Sequence, residues 1–341
     1  MRDRSVHGAS RVLERGWDAG RGPEQITLRR EFLLSAPKDP APPLTQLLRP
    51  RGLALRFYLL AVFEAQCRLG VGEEWTRKGS PPLKGPGSWS DFIAIDGAYD
   101  TSSDTYMPAT SGDRDLHTLR RQQIHGALRT LESLGTDGEQ ALVEVPKKGK
   151  GGGRDYTAFS LMQEAGRGDA PTPALYSVPA ARWHSTFSVP ADFFLRGWVQ
   201  VLQPSEVATW MILEWLSQTY PNRHAESGVY LYANARLGEF RLRRDSYEDA
   251  CNRLCDFGLI QSARADFAAR YGKPSQRSPE AEAQHFLMSF SQPSRPDVYE
   301  PDRYQVTHEG LGQNAAERCH KELLLRQNAL RQRRGRAQAS A

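Results

Sequence analysis

Ala127-Leu128-Arg129-Thr130-Leu131-Glu132-Ser133-Leu134-Gly135, followed closely by Ala141-Leu142-Val143-Glu144-Val145, decides the reading of the fold. Leucines three apart predict one buried side of a helix, the glycine predicts its end, and the alternating apolar run predicts a strand. A second stretch repeats the order: Ala250-Cys251-Asn252-Arg253-Leu254-Cys255-Asp256-Phe257-Gly258-Leu259-Ile260-Gln261. In each copy an amphipathic helix stops at a glycine and passes into a strand.

Working outward from the first copy, Leu116, Leu119, Ile124, Leu128, Leu131 and Leu134 extend one apolar stripe. Arg120, Arg121, Gln122, Gln123, His125 and Arg129 fill the positions between. After the strand, Pro146-Lys147-Lys148-Gly149-Lys150-Gly151-Gly152-Gly153-Arg154 predicts a loop, and residues 155–161 predict a returning strand. Upstream, residues 53–69 predict a helix with a broad apolar face. Residues 77–112 form a proline-containing polar insertion with one apolar patch at 89–95. Around the second copy, Pro204 suits a first helical position, and 207–216 is a strongly apolar helix carrying Trp210 and Trp215. Ser246 or Asp245 is placed to cap the helix before Gly258.

The domain organisation expected is a disordered basic segment at 1–49 and a first domain at 50–162 with insertion 77–112. A linker at 163–182, a second domain at 183–310, and a C-terminal helix with an Arg-rich tail at 311–341 follow. The fold class expected is mainly α with small β-hairpins (α+β), in two domains with basic, disordered tails. Residues 1–50 hold too few apolar side chains, as a composition, to offset the entropy of ordering, with a short strand or helix around 26–34 as the alternative within them.

The net charge of +5 is unevenly spread. Residues 1–51 carry ten Lys/Arg against six Asp/Glu, and 318–341 carry seven against one, which leaves 52–317 at a net −5. Nucleic-acid binding therefore has to rest on local basic patches rather than on global charge. No run approaches the roughly 18 apolar residues of a membrane span. Residues 1–30 have no apolar core of a signal peptide and carry Asp3, Glu14 and Asp18, so a cytoplasmic protein without a membrane partner is expected.

The cysteines (Cys67, Cys251, Cys255, Cys319) include one pair four apart, without the further ligands a structural zinc site needs. The eight histidines include neither an HxH nor an HExxH pair. Residues 149–153 are glycine-rich but lack the frame of a phosphate-binding loop. No metal, no cofactor and no catalytic activity are expected.

The two repeated stretches resemble the winged helix-turn-helix pattern, in which the helix before the glycine turn is the recognition helix and the hairpin is the wing. The resemblance implies two such units. Residues 187–206, Phe-Ser-Val-Pro-Ala-Asp-Phe-Phe-Leu-Arg-Gly-Trp-Val-Gln-Val-Leu-Gln-Pro-Ser-Glu, are loosely similar to bacterial plasmid replication initiators, a likeness spanning about residues 187–260. It implies sequence-specific binding of double-stranded DNA, in plasmid replication initiation or its control. Transcriptional regulation is the alternative, and a protein–protein scaffold built on winged helices is an alternative of another class. Association with the nucleoid or a plasmid would follow, and a second copy of the chain is a further expected partner. The DNA-contacting residues expected are Arg120, Arg121, Gln123, His125 and Arg129 on the first helix and Lys147, Lys148, Lys150 and Arg154 at the first hairpin. In the second unit they are Arg241, Arg243 and Arg244 before the helix and Asn252 and Arg253 on it. Arginine and glutamine suit bidentate contact with guanine and adenine, and lysines in a glycine-rich tip suit phosphate.

Overall fold

The computed structural model describes residues 2–36, 38–49, 53–94, 97–100, 105–108, 116–149, 152–182, 184–263 and 302–339. Lys150 lies outside the described residues, as do residues 264–301.

The first fifty residues, expected to be disordered, contain ordered secondary structure. Helix α1 (Arg2–Ala19) buries Val6, Ala9 and Leu13, a spacing of three and four that places them on one face. Strand β1 (Gln25–Arg29) buries Ile26 and Leu28. It pairs antiparallel with β6 (Thr186–Pro190), with Ile26 opposite Val189 and Leu28 opposite Phe187. A short helix α2 (Pro43–Gln46) begins on a proline and buries Leu44. Apolar residues here are few but correctly phased. An average over composition hides that phase.

The first unit is built on α3 (Ala54–Arg68), buried nearly all round, as befits a helix apolar on every side. Against it packs α4 (Leu116–Glu132), which buries Ile124, Ala127, Leu128 and Leu131. The chain leaves α4 at Gly135, whose φ of 76° suits glycine. Strands β4 (Val143–Glu144) and β5 (Ser160–Leu161) then pair antiparallel. The hairpin continues to a bridge between Lys147 and Arg154, closed where Lys148 N–H donates to the Gly153 carbonyl at 2.9 Å. Of the returning strand expected at 155–161, Ser160–Leu161 is strand, while Tyr156–Ala158 is a 3-10 turn because the Asp155 side chain accepts the Thr157 N–H and coils the backbone.

The insertion is only partly polar. It holds a hairpin of β2 (Gly97–Asp100) and β3 (Thr105–Pro108). Residues 89–94 of its apolar patch are neither strand nor helix but a series of turns that drops Trp89, Phe92 and Ile93 into the core. Trp89 meets Phe57 and Phe159 at ring distances of 5.4 and 5.8 Å.

The second unit runs through α5 (Asp192–Leu195), α6 (Trp198–Val201), α7 (Pro204–Thr219), α8 (Pro221–Ser227), α9 (Ala233–Gly238) and α10 (Arg244–Phe257). Pro204 opens α7, and Gln203 with Glu206 forms a capping box. Helix α10 starts at Arg244, one to two residues before the cap expected from Asp245 or Ser246. Gly258, at φ 73°, ends it in the left-handed conformation. Strand β7 (Ile260–Ser262) pairs with β8 (Tyr304–Val306), and β8 also bridges Val229. The chain continues as α11 (His308–Leu311) and α12 (Ala315–Ala339). Helix α12 carries through the Arg-rich segment expected to be disordered, where Arg, Gln and Ala are good helix formers.

Residues 163–182 are not a free linker. Glu164 and Tyr176 are fully buried, and Met162–Leu175 and Glu74–Ser177 are bridged antiparallel. Arg29 of β1 meets Glu164 at 2.5 Å, donates to the Ser177 carbonyl at 3.0 Å and donates to Ser177 Oγ at 2.9 Å. Burial raises the Glu164 carboxyl above its usual range, and the Arg29 charge opposes that shift. The two units also share one core, in which Phe63 stacks on Phe194 at 4.8 Å. Gln200 joins that seam by donating to the Phe92 carbonyl at 2.7 Å and accepting the Ala94 N–H at 3.1 Å.

Replacing Arg29 by Met should lower stability by about 3–5 kcal/mol, because it strands a buried carboxyl. Pairing it with Glu164→Met should recover most of that loss. Urea unfolding midpoints check both, and an Arg29→Met variant as stable as the parent would remove this pair from any structural role.

Candidate nucleic-acid interface

Helix α4 sorts its polar residues by angle. With about 100° per residue, Arg121, His125 and Arg129 run along one side, four residues apart, while Arg120 lies about 140° from His125. Arg121 and His125 are half-buried, and Gln122 and Arg129 are exposed. Arg120 does not join this row. It lines a cleft beside α1 and α3, and the half-buried Gln123 lies nearer to Arg120 than to His125 around the helix.

The hairpin is fastened to the same side of α4. The His125 ring stacks on Tyr156 with centroids 4.1 Å apart and planes 14° from parallel. Arg154 forms an ion pair with Glu132 in the last turn of α4. Arg154 is therefore a brace between helix and hairpin as well as a surface cation. Lys147 and Lys148 stand exposed at the tip.

The electrostatics record a local cationic field. Desolvation, then the charges of Arg121, Arg129 and Lys84, hold His125 below its ordinary range. At the hairpin the Asp155 carboxyl is lowered, first by its hydrogen bond from Thr157 and also by Lys148 and Arg77. Lys84 and Arg77 come from the insertion, and nothing in the sequence alone signals that they reach this face. Tyr156 is likewise unmarked in sequence as the partner of His125.

In the second unit the expected basic residues are differently placed. Arg241 adopts a left-handed backbone, φ 51°, and donates to the Asp39 carbonyl at 3.4 Å. Arg236, in the last turn of α9, is buried and donates to the Leu242 carbonyl at 2.7 Å, so it holds the α9–α10 turn instead of facing outward. Arg243 and Asn252 are exposed. Arg244 meets Glu248 at 2.7 Å, and Arg253 meets Glu206 of α7 at 3.5 Å. Asp245, Glu248, Asp249 and Asp256 share the accessible side of α10. The outer face of α10 is thus mixed in charge, whereas the Arg121–His125–Arg129 row of α4 is basic.

Trp210 is fully buried and stacks on Phe193 at 4.8 Å, while Trp215 packs on Phe240 at 5.8 Å. Neither supplies the exposed apolar patch that a scaffold centred on them would need. Among the described residues no cluster of three or more His, Cys, Asp or Glu suits a metal, and no helix is long and apolar enough to cross a membrane. Cys251 is buried, and burial pushes its thiol up to about 12. No protein-family model matches the chain, and no curated protein or solved structure shows significant similarity to it.

The row on α4 makes a prediction about proton binding. His125 is favoured neutral in the folded protein, so its contribution to stability is present above its unfolded pKa and is lost as pH falls through that range. Histidine-resolved NMR titration should find His125 titrating below an ordinary histidine, and Arg121→Gln should move it upward. No movement would show that Arg121 does not contribute to that depression.

Proposed function

We propose that this protein binds double-stranded DNA through winged helix-turn-helix units, with the first unit making the principal contact. In this reading α4 is the recognition helix in the major groove, and the hairpin spanning 143–161 is the wing beside the phosphate backbone. One observation carries the proposal: Arg121, His125 and Arg129 run along one side of α4, and the stack of His125 on Tyr156 joins that row to the hairpin bearing Lys147 and Lys148. A helix side and a hairpin tip held together with like charge form a surface suited to a polyanion, since phosphates relieve the mutual repulsion. Arg129, the exposed member of the row, and the exposed Gln122 beside it suit base edges. Lys147 and Lys148 suit phosphates.

The second unit supports the same family of folds. Its order is α7, the Val229 bridge, α9, α10, β7 and β8, with β8 between Val229 and β7. Its exposed arginine at 243 and the α9–α10 turn are suited to phosphate contact at the edge of a site, not to dense charge in a groove. The setting we propose is plasmid replication initiation or its control, to which residues 187–260 are loosely similar, with transcriptional regulation as the alternative.

Titration of the full chain into duplex DNA at several salt concentrations tests this. We expect binding that weakens steeply with salt. Lys147→Ala with Lys148→Ala should lower the salt slope by about 0.9 for each phosphate no longer neutralised, evenly across sequences. Arg129→Ala should also relax sequence preference. Because phosphates favour protonated His125, affinity should rise as pH falls from about 7.5 to about 6, and His125→Gln should flatten that rise. Salt-independent binding, or none at low salt, would leave α4 as an ordinary solvated face.

A further inference from the structure

A cleft of about 970 Å³ lies between α1, α3 and residues 79–93. That is the size of a small-molecule site, roughly 300–1,000 Å³. Its walls include Val12 and Leu13 of α1, Phe63 of α3, and Phe92 with Ile93 from the insertion. Such walls suit an apolar body.

Two glycines of α1, Gly8 and Gly16, face this space. A Cβ at either would meet no atom within 4 Å, and neither has a positive φ. Close packing and backbone conformation therefore do not require glycine at these positions. Glycine inside a helix is less stable than alanine. What these two glycines preserve is room in the cleft.

The charged lining is unequal. Arg15, Arg21, Arg68 and Arg120 face Glu64 and Asp91. Both carboxylates already have partners within the fold: Glu64 accepts from Arg68 Nε at 2.9 Å, and Asp91 accepts the Gly87 and Ser88 N–H groups at 2.9 and 3.3 Å. Of the lining arginines, Arg68 is held by Glu64, whereas Arg120 has no partner at its Nε among the described residues. A guanidinium is the side chain best matched to a carboxylate or sulfonate.

We propose that this cleft is a binding site for a small molecule with an apolar body and a single acidic group, which Arg120 receives. The site stands on the cleft alone and requires no DNA.

Fluorescence titration of the full chain with 1-anilinonaphthalene-8-sulfonate, in the absence of DNA, tests the proposal, with decanoate as a competitor. We expect saturable binding that decanoate displaces. Arg120→Gln should weaken it at least tenfold, and Gly16→Phe, which fills the cleft from α1, should abolish it, while Gly16→Ala retains it. Circular dichroism establishes that each variant is folded, and Gly8→Phe replaces Gly16→Phe if the latter does not fold. Absence of saturable binding, or binding unchanged in the folded cleft-filling variant, overturns the site. Loss with the filling variant but unchanged affinity in Arg120→Gln overturns the acidic group.

Discussion

The buried pair of Arg29 and Glu164 is the constraint around which the rest of the chain is arranged. A strand near the N-terminus and a residue 135 positions later place opposite charges in a site closed to water. Two such groups are tolerated inside a protein only when each is matched. The matching is extensive: the Arg29 N–H also donates to Glu164, and Ser177 takes two further bonds from the guanidinium. Beside it, Gln66 of α3 accepts the Thr27 N–H at 2.9 Å and donates to the Thr27 carbonyl and the Tyr176 hydroxyl at 2.6 and 2.8 Å. One polar knot thereby fixes β1, α3 and the 164–178 segment relative to one another. Because β1 also pairs with β6, the knot sets where the second unit begins.

That arrangement explains why two stretches with similar local sequence end up in one core. A flexible connection would let two helix–hairpin units move independently. Here the connecting segment is itself bonded to β1 and to residues 73–75, where Trp75 N–H donates to the Tyr176 carbonyl at 2.6 Å. The Phe63–Phe194 stack and the Gln200 bonds to Phe92 and Ala94 continue the seam. The spacing between α4 and α10 is then a property of the fold, and any ligand contacted by both must fit that spacing.

The features that were legible in sequence are those set by local periodicity. The leucines of 116–134 gave α4, Gly135 and Gly258 gave the helix exits, Pro204 gave the start of α7, and the Lys/Gly run gave a hairpin tip. What escaped depends on distant partners. The N-terminal fifty residues look too polar to fold, yet Val6, Leu13, Ile26, Leu28 and Phe32 are buried because other elements cover them. Residues 163–182 look like a linker because their glycines and prolines dominate the composition, while Glu164 and Tyr176 hold the fold together. For the candidate interface, the residue types on α4 were readable but their directions were not. Arg120 and Arg121 are adjacent in sequence and diverge by about 100° on the helix, so one lines a cleft and the other joins the basic row.

Repetition of topology need not mean repetition of chemistry, and the two helices show how the difference arises. On α4 the acidic residue nearest the basic row, Glu132, is engaged by Arg154 of the hairpin, an interaction that strengthens the attachment of the hairpin while leaving Arg121, His125 and Arg129 uncompensated by it. On α10 the pairing runs the other way: Arg244 and Arg253 are drawn to Glu248 and Glu206, and Asp245 and Asp249 remain alongside. The net −5 of residues 52–317 is thus compatible with a strongly basic patch, because the compensation is spatially uneven. A polyanion approaching this surface meets a field set by which cations are already paired, and the ion pairs within each unit determine that field more directly than the count of arginines on its helix.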